Sequence, residues 1–106
     1  MSILENSSID GMGIDEDGQT LVFMISDHLD WENEGEHLLL LQDKLNAYLG
    51  YIEAKEFQEV YPQYEFLFFS IEVYFQYAPT EDCMKFFEVM NQQLEEFNIC
   101  IVGYYE

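Results

Sequence analysis

The residues best suited to chemistry in this sequence lie between Asp27 and His37, where two histidines stand among several carboxylates. Imidazole nitrogens and carboxylate oxygens can together bind a divalent metal ion, and the candidate ligands are His28, Asp30, Glu34 and His37. No spacing in this stretch matches an established ligand motif. The alternative is that the acids cap a helix and complement its dipole, while a histidine is tied to a backbone carbonyl or a neighbouring carboxylate. No cofactor is expected from these residues.

A second acidic stretch, Asp15 to Gly18, invites comparison with a calcium-binding loop. Counting from Asp15, the sixth position is Thr20 where glycine is required, and the twelfth is Ser26 where a bidentate glutamate is required. The stretch is therefore predicted to be a hairpin turn, with Gly18 supplying a positive φ.

The sequence contains no convincing site for nucleophilic catalysis. Cys83 and Cys100 have no neighbours that would activate a thiol, and we expect both to be small buried side chains in a reducing compartment, the cytoplasm. No glycine-rich phosphate loop is present. An enzyme is therefore less favoured than a binding protein, and no catalytic residue is predicted.

Composition limits the classes of partner. The chain has 106 residues, 22 of them acidic and three basic, for a net charge of −19. Binding to nucleic-acid phosphates or to an anionic membrane requires many Lys and Arg side chains, of which this chain has almost none, so we expect no direct nucleic-acid or membrane partner. The apolar fraction of 49% predicts a folded chain. We expect one domain over residues 1–106, with residues 1–7 as a loose N-terminal arm and no signal peptide or membrane span.

The elements that position these residues can be predicted from periodicity and capping signals. Alternating apolar residues predict a β-hairpin of Ser8–Asp15 and Gln19–Ser26. Asn33 and Thr80 are predicted helix N-caps. The first helix carries an apolar cluster over residues 38–41, which predicts that it is covered on more than one side. The second is predicted to bury the residues Cys83, Phe87, Met90, Leu94 and Phe97, and after Asn98 the last strand follows over Ile99–Tyr105.

The chain is organised around the stretch from Glu65 to Tyr77, which alternates at a period of two residues. One row is wholly apolar and is predicted to face the core: Leu67, Phe69, Ile71, Val73, Phe75 and Tyr77. The other row mixes aromatic and polar residues: Phe66, Phe68, Ser70, Glu72, Tyr74 and Gln76. We expect the aromatics of this second row to be covered by the chain's own termini or loops, to be tolerated singly on the surface, or to form an interface.

The element order β-β-α-β-α-β predicts an α+β two-layer sandwich. Strands joined through helices should be parallel with right-handed crossovers, so both helices should cover the same face of a four-stranded mixed sheet. The other face is left bare. We expect Val22, Met24, Phe68 and Tyr74 on it.

The bare face suggests a function. With the net charge, it favours a non-enzymatic acidic binding protein that engages a basic protein partner, as an inhibitor or immunity protein or a nucleic-acid mimic does. The predicted partner-binding residues are Val22, Met24, Phe66, Phe68 and Tyr74. A second copy of the chain could cover the same face as a homodimer. The alternative function is a small metal-binding protein or metal-dependent enzyme that uses the cluster around His28 and His37.

Three blocks of the sequence, ISDHLDW (25–31), EHLLLLQDKLNAYLGYIEAKEFQEVYP (36–62) and IEVYFQYAPTED (71–82), resemble a family of small uncharacterised bacterial domains of unknown function. The similarity runs over nearly the whole chain from Ile9 onward. It implies a bacterial single-domain protein, and it carries no functional residue with it.

Overall fold

A four-stranded sheet carries two helices on one of its faces in the computed structural model, which describes residues 9–105. The expected N-terminal arm, residues 1–7, and Ser8 lie outside the described residues. The elements follow the predicted order: β1 (Gly11–Ile14), β2 (Thr20–Asp27), α1 (Glu34–Glu53), a 3-10 turn (Glu56–Glu59), β3 (Phe68–Phe75), α2 (Glu81–Leu94), a second 3-10 turn (Glu95–Phe97) and β4 (Ile99–Tyr105).

The strands lie in the order β1-β2-β3-β4. β1 pairs antiparallel with β2, whereas β2, β3 and β4 are parallel. Both crossovers move the chain in the same direction across the sheet, so right-handed connections place α1 and α2 on the same face. The predicted α+β fold with a mixed sheet is confirmed.

The predicted turn and caps are confirmed. Gly18 has φ 68° in the β1–β2 turn. The Asn33 side chain accepts a hydrogen bond from the Glu36 backbone N–H at 3.2 Å, and Thr80 Oγ1 accepts one from the Cys83 backbone N–H at 3.1 Å. After the second 3-10 turn Asn98 adopts φ 59°, the left-handed conformation that often ends a helical segment.

The core lies between the sheet and the two helices. The inward residues of β2 and β3 and the buried faces of α1 and α2 form one cluster, whose fully buried apolar members include Leu21, Phe23, Ile25, Leu41, Leu45, Tyr48, Ile71, Val73 and Cys83. Because a single cluster joins all elements, the sheet and helices stabilise each other.

Several residues predicted to be buried are exposed. Leu67 and Tyr77 flank β3 rather than belonging to it, and about half of each side chain is exposed. Leu39 is 62% exposed, so α1 is covered on one side and not on several. Phe97 is 60% exposed, because α2 ends at Leu94 and the tighter winding of a 3-10 turn loses the helical phase.

Candidate functional site

The candidate metal ligand His37 is engaged with its own chain. It lies in the first turns of α1 and is 2% exposed. Its Nδ1 is 2.9 Å from the Asp30 carbonyl oxygen, and its Nε2 is 2.5 Å from Oδ2 of Asp27 at the end of β2. The structure therefore agrees with the alternative interpretation, in which this histidine is tied to a backbone carbonyl and a carboxylate. A carbonyl and a carboxylate are both hydrogen-bond acceptors, so each ring nitrogen of His37 faces an acceptor from its own chain.

The other candidate ligands do not gather around it. His28 is exposed on the segment after β2, and Glu34 is half-buried at the start of α1. Within residues 9–105, no three His, Cys, Asp or Glu side chains are grouped so that they could hold a metal ion.

Aromatic side chains cover the Asp27–His37 pair. The Trp31 ring stacks on the His37 imidazole with 3.7 Å between centroids and a 20° interplanar angle, and its centroid lies 6.1 Å from that of Phe75. Asp27 Oδ1 also accepts the Leu29 backbone N–H at 3.1 Å. These contacts fix the segment that joins β2 to α1, so the pair is a structural clamp.

The Cys83 thiol is not prepared for nucleophilic attack. It is fully buried at the start of α2, and burial, followed by the negative charges of Asp27 and Glu34, raises its pKa to about 12. A thiol with this pKa is protonated at neutral pH, whereas the thiolate is the nucleophile. Among the strands of residues 9–105, the order shows no reversal of the kind at which open α/β sheets form a ligand crevice.

A buried ion pair was missed by sequence reasoning. Lys44 lies on the inner side of α1 with a fully buried side chain, and its Nζ is 2.9 Å from Oδ1 of Asp10. Lys44 Nζ also lies 5.5 Å from the centroid of the Tyr48 ring. One of the three lysines is therefore internal, which leaves Lys55 and Lys85 as the basic side chains at the surface.

The sheet face opposite the helices, which we call the open face, carries apolar and aromatic side chains. The strand register places on it Val22, Ser26, Met24, Phe68, Ser70, Glu72, Tyr74, Cys100, Val102 and Tyr104. Phe68, Tyr74 and Tyr104 are each more than 40% exposed. All four residues expected on the bare face are there, with Val22 and Met24 half-buried. Cys100 is exposed on this face, so the prediction that both cysteines are buried is wrong for it.

Phe66, the remaining predicted partner-binding residue, lies elsewhere. It precedes β3 and is partly buried among aromatic rings of the preceding loop, stacked on Tyr64 at 5.7 Å and edge-on to Phe57 at 5.8 Å. The chain itself covers this ring. Coverage by a loop therefore applies to Phe66, whereas Phe68 and Tyr74 are exposed on the sheet, where an interface stays a prediction.

Tyr74 and Tyr104 form the most organised part of the open face. Their rings stack with 5.2 Å between centroids at 16°. The Tyr74 hydroxyl donates to Oε1 of Glu72 at 2.5 Å, and this hydrogen bond is the main reason that the Tyr74 pKa is raised to about 12. Sequence reasoning placed Glu72 in the same row as Tyr74 but gave it no role, and it missed Tyr104 because the pairing of β4 with β3 was not predicted.

At the edge of the sheet, a groove of about 720 Å³ runs between α2 and β4. The Asn91 side chain spans it, donating from Nδ2 to the Ile101 carbonyl at 2.9 Å and accepting the Ile101 backbone N–H at 2.7 Å through Oδ1. The Asn91 amide thus pairs with the backbone of the edge strand β4 as a further strand would, and it covers the N–H and C=O groups of one residue of that edge.

Fold and surface together define a small α+β sandwich with an acidic exterior and an open aromatic sheet face. The chain belongs to the family of unknown function DUF6572, whose model matches residues 1–104. Comparison with curated proteins and with solved structures finds no match. No helix within residues 9–105 is long and apolar enough to cross a membrane.

Proposed function

We propose that this protein is a non-enzymatic binding protein that engages a basic protein partner through its open face. An inhibitor, an immunity protein or a nucleic-acid mimic would be a concrete form of this function. The observation that carries the proposal is the combination of exposed aromatic side chains on an uncovered sheet with a net charge of −19.

The distribution of charge strengthens this proposal. Lys44 is buried against Asp10, and Lys85 lies 3.7 Å from Glu81 in an exposed pair, so few surface carboxylates have a basic neighbour. A strongly negative surface raises the association rate with a cationic protein, and an apolar centre supplies the burial that keeps the two together.

Contacts of this kind have a rim and a centre. Phe68 and Tyr74 would form the apolar centre, and the surrounding acids would remain at the hydrated rim, where charges affect the association rate more than the final affinity. We place this function in the bacterial cytoplasm, because the free thiols Cys83 and Cys100 are typical of a reducing compartment.

Affinity capture from bacterial lysate, at low and at physiological salt, tests the proposal. Phe68→Ser should weaken capture of a basic partner, whereas Leu39→Ser should not, because Leu39 is also apolar and exposed but lies on α1. We expect the captured protein to be basic and its recovery to fall with added salt. Recovery that is insensitive to salt, or equal for the wild type and both variants, would contradict the proposal.

A further inference from the structure

The stacked tyrosines of the open face lie beside a carboxylate that can accept further hydrogen bonds. Tyr74 and Tyr104 are 43% and 44% exposed although they stack on each other. Oε1 of Glu72 accepts the Tyr74 hydroxyl, and Oε2 has no hydrogen bond within residues 9–105. An aromatic surface and a free carboxylate oxygen therefore lie next to each other on one sheet face.

Both outer ring surfaces of the tyrosine pair are accessible. On the β2 side, the register partner of Tyr74 is Ser26, whose side chain is small and exposed. On the other side, Tyr104 lies on the edge strand β4, and no described strand follows it. A flat group can therefore approach either outer ring face, since the neighbouring position is a small side chain on one side and the sheet edge on the other.

The chemistry of this place favours a cation. The face of a tyrosine ring is electron-rich and attracts Lys or Arg, and the net charge of the chain adds long-range attraction. Of the two side chains, Arg fits better, because its planar guanidinium can stack on a ring while its N–H groups bind a carboxylate oxygen. Within residues 9–105, the chain's own cation–π contact joins Lys44 to Tyr48 in the interior and leaves these rings available.

We propose that Tyr74, Tyr104 and Glu72 form a binding site for an arginine side chain of a protein partner. This inference rests on the proposed function and names the part of the partner that the open face recognises. It explains the position of Glu72, whose carboxylate is held beside the rings by the Tyr74 hydroxyl instead of extending into solvent.

The test compares two peptides, one rich in arginine and one in which every arginine is replaced by lysine. We expect the wild-type protein to bind the arginine peptide more tightly by about two- to fivefold, because arginine adds planar stacking to the cation–π attraction that lysine also has. Tyr104→Leu and Glu72→Gln should each bring this ratio close to one.

Two matched controls remove the same groups elsewhere. Tyr105→Leu deletes an exposed tyrosine on the opposite face of β4, and Glu88→Gln neutralises an exposed acid on α2, so both should retain the preference for arginine. Equal and salt-sensitive binding of both peptides by the wild type would overturn the arginine site and leave the proposed function in place. Binding of neither peptide at low salt would overturn both.

Discussion

Substitution of Asn91 tests how the sheet edge is stabilised. Its amide makes two hydrogen bonds to the backbone of Ile101, at 2.9 and 2.7 Å, and both are lost in Asn91→Ala. A hydrogen bond contributes roughly 0.5–1.5 kcal/mol net to stability, so the loss is about 1–3 kcal/mol. Alanine forms helices better than asparagine and returns at most about 0.7 kcal/mol. We expect the free energy of unfolding to fall by about 1–2 kcal/mol.

Urea denaturation measures this change, and two further variants make the result specific. Gln92→Ala alters the adjacent exposed residue of α2 and should change stability little. Asn91→Asp keeps an acceptor for the Ile101 N–H but places a second oxygen against the Ile101 carbonyl, so it should be more destabilising than Asn91→Ala. If Asn91→Ala unfolds at the same urea concentration as Gln92→Ala, the amide does not stabilise the edge.

Three other results are expected. Lys55 has φ 58° between α1 and the following 3-10 turn, so Lys55→Gly should raise the free energy of unfolding by up to about 1 kcal/mol, and Lys55→Ala, which removes the same charge, should not. Burial raises the pKa of Tyr48 from 10.0 to about 12. The contribution of the neutral hydroxyl to stability is therefore complete below pH 10 and is lost as pH rises through 12. When denaturation is measured from pH 8 to 12, the free energy of unfolding should fall less steeply with pH in Tyr48→Phe than in the wild type. The alternative occupant of the open face, a second copy of the chain, predicts a dimer in light scattering at two salt concentrations that Phe68→Glu converts to a monomer, and a wild-type monomer in both conditions would remove the homodimer.

Local signals in the sequence predicted the elements well. The span of β4 was predicted as Ile99–Tyr105, and the caps at Asn33, Thr80 and Asn98 are where they were expected. Each of these features depends on a few neighbouring residues, because capping and alternation act within one or two turns or along one strand. The parallel connections followed from the element order by the handedness rule.

Features that depend on distant residues were not predictable in the same way. Lys44 stands three residues after Leu41 and four before Tyr48, so helical spacing places it on the buried face of α1. Its charge argues for a solvent-facing position instead, and its partner Asp10 lies 34 residues away. Phe66 continues the alternation of β3 in sequence but precedes the strand, so its neighbours are set by the loop from Phe57 to Tyr64. The pairing of Tyr74 with Tyr104 required the strand order, which the sequence leaves open.

The internal position of Lys44 also affects how the folded chain meets proteases that cleave after basic residues. The sequence has no arginine, so such a protease has only three lysines to recognise. Lys44 is fully buried within α1, and Lys85 lies in the second turn of α2, where the backbone is held in a helix. Lys55 is the exposed position between two helical segments, and cleavage there would separate β1, β2 and α1 from the other two strands. Because basic residues are so few, the native protein has one readily accessible bond for such a protease, the one after Lys55, although the rest of its surface is highly polar.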